Sequence, residues 1–242
     1  MKSSISFHSE VAVSGVFFNP DDFSCELGIE PTTCAKAGER PHPRRIPHSF
    51  SRWMLSSSWT SSGRPEQDFA DLLSRFNGRE RQTRDVCAKM HLSPVATVIV
   101  EFSERAAFKF HLSRETIQTL SSMGFSFWID WSNHVPLKAA AASSVKSDIT
   151  LSVESIDNRS LAECWTSKSR TYSLFDCLES MIPRMAGRMS TDGLQVQCAN
   201  LDVSISSRNG DFPHLALLSE TIRSLANLHA AVSFRLDCRS HA

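Results

Sequence analysis

Glycine is scarce in this chain, at nine of 242 residues. Neither a Gly-x-Gly-x-x-Gly turn nor a phosphate loop ending in Lys occurs, so the backbone N–H cradles that hold nucleotide phosphates are not encoded. There is no Gly-x-Ser-x-Gly elbow, and a Ser, Cys or His triad would have to be assembled from unrelated positions. Net charge is also missing, because 26 Lys and Arg balance 26 Asp and Glu. A neutral chain has no overall field to draw in nucleic acid or an anionic membrane, and only a local basic patch could do so. No apolar run approaches the ~20 residues of a membrane helix. The longest, Val95 to Val100, is strand-sized. The first ten residues lack the apolar stretch of a secretion signal, so a cytoplasmic protein is expected. The seven Cys are odd in number and contain no Cys-x-x-Cys. Free, mostly buried thiols are the expectation for a reducing compartment.

What is present is a globular composition, 41% hydrophobic and 21% charged, in a length that suits one large domain or two small ones. Period-two alternation through Ile5, Phe7, Val11 and Val13 predicts a first strand. Asn19-Pro20-Asp21-Asp22 predicts a helix start. Asn accepts from free N–H groups, Pro suits the first helical position, the two Asp favour the positive end of the dipole, and Gly28 ends the helix. Catalysis or metal ligation by the Asp pair is the alternative to that capping role. From Glu30 to Ser51, four Pro exclude helix and interior strand. Trp53 to Ser57 reads as a second strand. Phe69, Leu72, Leu73 and Phe76 then mark a helix at i, i+3, i+4 and i+7. Two runs, Ala96–Phe102 and Ala107–Leu112, lie four residues apart and predict an antiparallel hairpin.

One stretch occurs twice. Glu115-Thr-Ile-Gln-Thr-Leu leads into Phe125–Trp131, and Glu220-Thr-Ile-Arg-Ser-Leu leads into Val232–Cys238. The same shift of 105 residues places Phe69, Leu72, Leu73 and Phe76 on Leu174, Cys177, Leu178 and Met181. It also places Val98 and Val100 on Val203 and Ile205, and after Met123 it becomes 107. These matches predict an internal repeat. The expected fold is α+β: two tandem copies of a small antiparallel sheet, each packed with two or three helices. Residues 1–135 form the first, 136–147 a linker, and 148–242 a degenerate second copy that lacks the Pro/Arg-rich loop.

The first copy resembles the domain-of-unknown-function 4279 family. The resemblance rests on Asn19-Pro20-Asp21-Asp22, Leu27-Gly28-Ile29-Glu30-Pro31-Thr32, Gly38-Glu39, Trp53-Met54-Leu55-Ser56, and Leu112-Ser113 through Phe125-Ser126-Phe127-Trp128-Ile129-Asp130. It covers about residues 5 to 131. It implies small bacterial α+β domains, with toxin-neutralising or interaction roles among the members, and no particular chemistry.

Metal binding is weakly encoded. Cys34, His42 and His48 share the long loop and Cys87 precedes His91 by four, yet neither set has the four-ligand spacing of structural zinc. Asp130 and Asp237 occupy the same place in both copies, which points to a structural role before a catalytic one. Neither a cofactor nor a metal is expected, and an enzyme is the less favoured class. The segment present in one copy only, Glu30 to Trp59, is where function is expected. Its Arg40, Arg44, Arg45 and Arg52, with Trp53 and Trp59, are the candidate partner-binding residues. Arg with aromatics anchors protein interfaces, and the same pairing stacks on bases and grips phosphate. The neutral chain favours a protein partner, with an immunity-type inhibitor as one form, over nucleic acid. No membrane is expected to be a partner. A solvated loop, and an enzyme site between the two copies, are the remaining alternatives. The expected assembly is a monomer with internal pseudo-symmetry or a weak homodimer.

Overall fold

The fold is that of a computed structural model, which describes residues 5–40, 46–61, 64–102, 107–133, 145–155, 160–167, 172–191, 196–207 and 215–238. The N-terminal half runs β1 (Ile5–Gly15), α1 (Pro20–Leu27), β2 (Thr33–Ala35), β3 (Ser51–Ser56), α2 (Pro65–Ser74), α3 (Glu80–Lys89), β4 (Val95–Phe102), β5 (Ala107–Leu112), α4 (Arg114–Met123) and β6 (Ser126–Asn133). The C-terminal half runs β7 (Val145–Ser155), β8 (Ser160–Ser167), α5 (Tyr172–Thr191), β9 (Val196–Ser207), β10 (Leu215–Leu217), α6 (Ser219–Asn227) and β11 (Ala230–Cys238). The class is α+β, as the sequence predicts.

Local chemistry places the helix ends. Asn19 accepts from the Asp21 N–H, Pro20 opens α1, and Gly28 closes it at φ 62°. Ser113 accepts from the Thr116 N–H at the start of α4, and Gly124 closes that helix at φ 73°. Only a residue tolerant of the left-handed region fits there without strain. After α6 the left-handed position falls on His229, at φ 50°, again 105 residues on from Gly124. The ladders keep that shift through the last strand, with Val98 beside Ile129 and Val203 beside Phe234. The change of shift to 107 is therefore corrected, and Asp130 corresponds in the ladder to Arg235 and not to Asp237. Helix α3 was not anticipated, because only Thr83, Val86 and Cys87 of its ten residues are buried and its apolar signal is faint.

Two sheets form. The first has the order β10-β6-β4-β1-β3-β2, and the second β5-β11-β9-β7-β8. With β6, β4, β1 and β3 set against β11, β9, β7 and β8, the strand order is the same. Each sheet then receives its next strand from the other half of the chain. β5 lies antiparallel to β11, with Phe110 opposite Phe234. β10 lies antiparallel to β6, with Leu215 opposite Ile129. The predicted β4–β5 hairpin does not form, because β5 leaves its own sheet. β4 pairs instead with β6, in parallel, and β9 pairs in parallel with β11. The sheets are therefore mixed, each with one parallel pair, where purely antiparallel sheets were expected. The intervening β5–α4 and β10–α6 segments supply the long connection that a parallel pair needs. The predicted linker 136–147 falls outside the described residues up to 144, and Val145 already opens β7.

The halves share one core. Phe69 of α2 packs edge-on against Phe110 and Phe127, with centroids 5.9 and 5.4 Å away, and Phe127 meets Phe234 at 6.0 Å. Helices α4 and α6 pack on one another. Val98 and Val100 are buried, as are Val203 and Ile205. Odd-numbered β1 residues from Phe7 to Val13 face this core, and the even-numbered ones lie on the opposite face of the sheet.

Candidate functional site

Two surface regions of the N-terminal sheet carry the chemistry. The first is the end of the sheet where β1 hands over to α1. The β1–β3 register sets Gly15 opposite Ser51, and carrying it one step further sets Val16 beside Phe50. Phe18 turns back into the core, while Val16, Phe17 and Phe50 stay outside. Phe17 is 100% exposed and Ile46 is 89% exposed. Exposed apolar side chains thus meet at one end of the sheet from two separate stretches of sequence, Val16 with Phe17 and, across the register, Phe50.

The loop that carries Ile46 and Phe50 is fastened at both roots. The Ala37 N–H donates to Ser51 Oγ at 3.0 Å. The Gly38 N–H donates to the His48 carbonyl at 2.8 Å, and the His48 N–H to the Glu39 carbonyl at 2.9 Å. Gly38 makes the turn at φ 82°. Lys36 Nζ reaches the Asp21 carboxylate on α1 at 2.5 Å, and that hydrogen bond raises the ammonium pKa above its ordinary value. Glu39 folds back along the loop to accept from the Lys36 N–H at 3.2 Å, and it remains exposed.

The second region is the face of the sheet turned away from the core. Arg52 donates to Glu10 at 2.9 Å, and His8 Nε2 lies 3.9 Å from the same carboxylate. Trp59, 49% exposed, stacks on the His8 ring at 5.1 Å with the planes 22° apart. Two bonds between Phe7 and Thr60, and Ser57 N–H to the Ser9 carbonyl, hold the Trp59 segment along β1. His8 Nδ1 is buried without a hydrogen-bond partner among the described residues. Trp128, 46% exposed, stands on the same face. Thr97 lies between it and Glu10 in the ladder, which puts Trp128 about 10 Å from Glu10 at two strand spacings.

The six residues singled out from sequence do not form one patch. Arg40 is exposed beside the apolar end. Arg44 and Arg45 lie outside the described residues. Arg52 spends its charge on Glu10. Trp59 sits against His8, eight β1 residues from Val16, or about 26 Å along the strand. Trp53 is a correction: it is fully buried. It donates its indole N–H to Ser24 Oγ at 3.0 Å and packs on Phe23 and Phe76, so it has no surface to offer a partner. The residues missed are Val16 and Phe17. Their signal was present, since Val16-Phe17-Phe18 breaks the alternation of β1 with three apolar residues where the core takes one.

With this geometry in view, the sequence model of a family described as Domain of unknown function (DUF4279) matches residues 5–134. The chain belongs to that family. The matched region ends with β6 and contains both surface regions. It also contains β5, the strand it lends to the C-terminal sheet. Comparison with curated proteins and with solved structures gave no match.

Elsewhere the chemistry is sparse. Where the sheets approach each other, a groove of about 480 Å³ is lined by Ile5, Phe7, Pro65, Phe108 and Lys109 among others. It has neither a carboxylate nor a histidine among its described lining residues. Among the described residues, no three His, Cys, Asp or Glu side chains gather as metal ligands. No described helix is long and apolar enough to cross a membrane. Cys25 and Cys34 are exposed and Cys87 is buried, so the expectation of mostly buried thiols holds for Cys87 and fails for those two.

Proposed function

We propose that this chain is a non-enzymatic protein-binding module of the cytoplasm, an immunity-type inhibitor being one form of such a module. It would engage its partner with the end of the N-terminal sheet where residues 16–17 meet the loop of segment 30–59. The observation that supports this reading is the complete exposure of Phe17, next in the chain to Val16, which the β1–β3 register sets beside the exposed Phe50. Large apolar side chains left exposed together at one end of a folded protein mark sites that another surface covers. Aromatic anchors with a neighbouring Arg are the residue types that dominate protein interfaces.

Nucleic-acid binding loses support relative to this reading. It called on Arg with Trp as a stacking platform, yet Trp53 is in the core and Arg52 is paired with Glu10. We further propose that the C-terminal half is a degenerate second copy. The common strand order of the two sheets supports this, and so do the matching buried residues Val98 and Val203. That copy would act as scaffold.

Affinity capture from cells of the source organism tests the binding role. Wild-type protein is compared with a Phe17→Ser/Phe50→Ser double variant whose melting curve is unchanged. Polypeptides captured by the wild type and lost with the variant are expected. Identical capture by both would remove the reading.

A further inference from the structure

The groove where the sheets approach each other holds more than apolar surface. β5 is the edge strand of the second sheet, and its residues alternate between exposed and buried. Both sets line the groove, Phe108 from the core side and Ala107 and Lys109 from the exposed side. The groove therefore runs along the free edge of the strand. The His111 N–H shows how the backbone is turned there. It donates to Glu66 Oε1 at 3.1 Å, so it faces away from β11. In an antiparallel ladder the N–H and C=O of one residue point to the same side, and every second residue repeats that direction. The N–H and C=O of Lys109 and Ala107 accordingly face away from β11 too, along the groove. Among the described residues they have no hydrogen-bond partner.

We propose that this edge accepts an extended peptide segment of a partner protein as an added antiparallel strand. Backbone donors and acceptors repeating at about 7 Å match another strand better than a compact ligand. Alternation then sets the sequence the edge would take. The residue opposite Lys109 lies on the exposed face, and its neighbours turn to the side where Ile5, Phe7, Pro65 and Phe108 line the groove. Lys109 stands opposite Arg235 across the ladder, and among the described residues no ion pair joins it to a carboxylate. Glu66, the carboxylate bonded at this edge, is engaged by the His111 N–H. A Glu or Asp opposite Lys109, with an apolar residue on each side, is therefore the complementary strand. A second copy of this chain fits less well, because self-pairing centred on Lys109 would set two lysines opposite each other. Phe7, at the groove, lies about 30 Å from Val16 along the strand. This surface is thus separate from the Phe17 end and does not rest on that reading.

The probe is a fluorescein-labelled, end-capped Thr-Val-Glu-Val-Thr peptide, titrated by anisotropy against the full chain. Two further peptides carry a methyl group on the Glu nitrogen, or Lys in place of Glu. The proteins are wild type, Lys109→Glu and the Phe17→Ser/Phe50→Ser variant. Wild type is expected to bind the Glu peptide. N-methylation, which removes the N–H that would reach the Lys109 carbonyl, is expected to weaken binding on the order of tenfold. Lys109→Glu is expected to reverse the preference and to bind the Lys peptide on the order of tenfold better than the Glu peptide. The Phe17→Ser/Phe50→Ser variant is expected to match wild type. No binding up to about 1 mM peptide, indifference to N-methylation, or an unchanged preference in Lys109→Glu each overturns the proposal and leaves the Phe17 reading standing. Loss of peptide binding in the Phe17→Ser/Phe50→Ser variant would move the peptide to that end and overturn it as well. So would self-association in sedimentation that Lys109→Glu abolishes, since the edge would then belong to a second copy.

Discussion

Phe110, in the strand that leaves the N-terminal sheet, stacks on Phe127, in the strand that stays, with ring centroids 5.7 Å apart and planes 5° apart. Phe110 pairs through its backbone with the C-terminal β11 and through its side chain with the N-terminal β6. Phe127→Ala should therefore cost about 3–5 kcal/mol, the usual loss for emptying a buried Phe site. The loss should reach both halves together. Denaturant unfolding followed by Trp fluorescence and by far-ultraviolet circular dichroism should give one coincident transition. Two separated transitions would show halves that fold apart.

The same exchange predicts the outcome of cutting the chain. β5 is held by six residue pairs to β11, and β10 by three to β6. A protease site inserted between residues 136 and 143, then cleaved, should leave two fragments that elute together at the mass of the intact protein. They should separate only in denaturant. Separation in native buffer would mean that neither ladder, nor the shared aromatic core, outweighs the entropy released.

The bond from Trp53 to Ser24 gives a local prediction of opposite reach. Ser24→Ala leaves the buried indole N–H unpaired and should cost about 1–3 kcal/mol, because Trp53 itself is fully buried. Binding at the Phe17 end should be unchanged once the protein is compared below its melting range. A thermal melt and the affinity capture used for the Phe17→Ser/Phe50→Ser variant, run on one preparation, check both parts. Lost binding at full foldedness would return Trp53 to the interface.

Much of the N-terminal half was legible because its signals are local. Asn19, Pro20 and Gly28 bound α1, Ser113 and Gly124 bound α4, and the stripe from Phe69 to Leu73 marks the buried face of α2. The partner of β5 was not legible. Ala107–Leu112 alternates as any half-buried strand does, and alternation says which face is buried without saying which strand lies alongside. Two strands four residues apart suggest a hairpin, and only the packing of Phe110 among Phe69, Phe127 and Phe234 explains why it does not close. Trp53 was misplaced for a similar reason. An Arg-Trp pair in sequence reads as surface chemistry, but in a strand adjacent residues point to opposite faces. Arg52 thus points out while Trp53 points in. Phe17 was overlooked because an exposed Phe beside a helix cap looks like core until the register shows that Phe18 takes the buried place.

Thiol chemistry separates the cysteines. Burial pushes the Cys87 thiol up to about 12, whereas Cys25 and Cys34 are exposed. At pH 8, Ellman's reagent should modify Cys25 and Cys34 rapidly in the native protein and reach Cys87 only on unfolding. Mass mapping after a short exposure reads this directly. The same burial makes stability depend on pH. Between the ordinary thiol value and about 12, the folded state keeps a proton that the unfolded chain gives up, so stability is complete below the lower value and falls as pH rises through the window. Cys87→Ala removes that titration. Its melting temperature should decline less steeply above pH 9 than that of the wild type, even though the variant starts lower from the cavity it leaves. Equal slopes for the two proteins would show that Cys87 ionises as freely folded as unfolded.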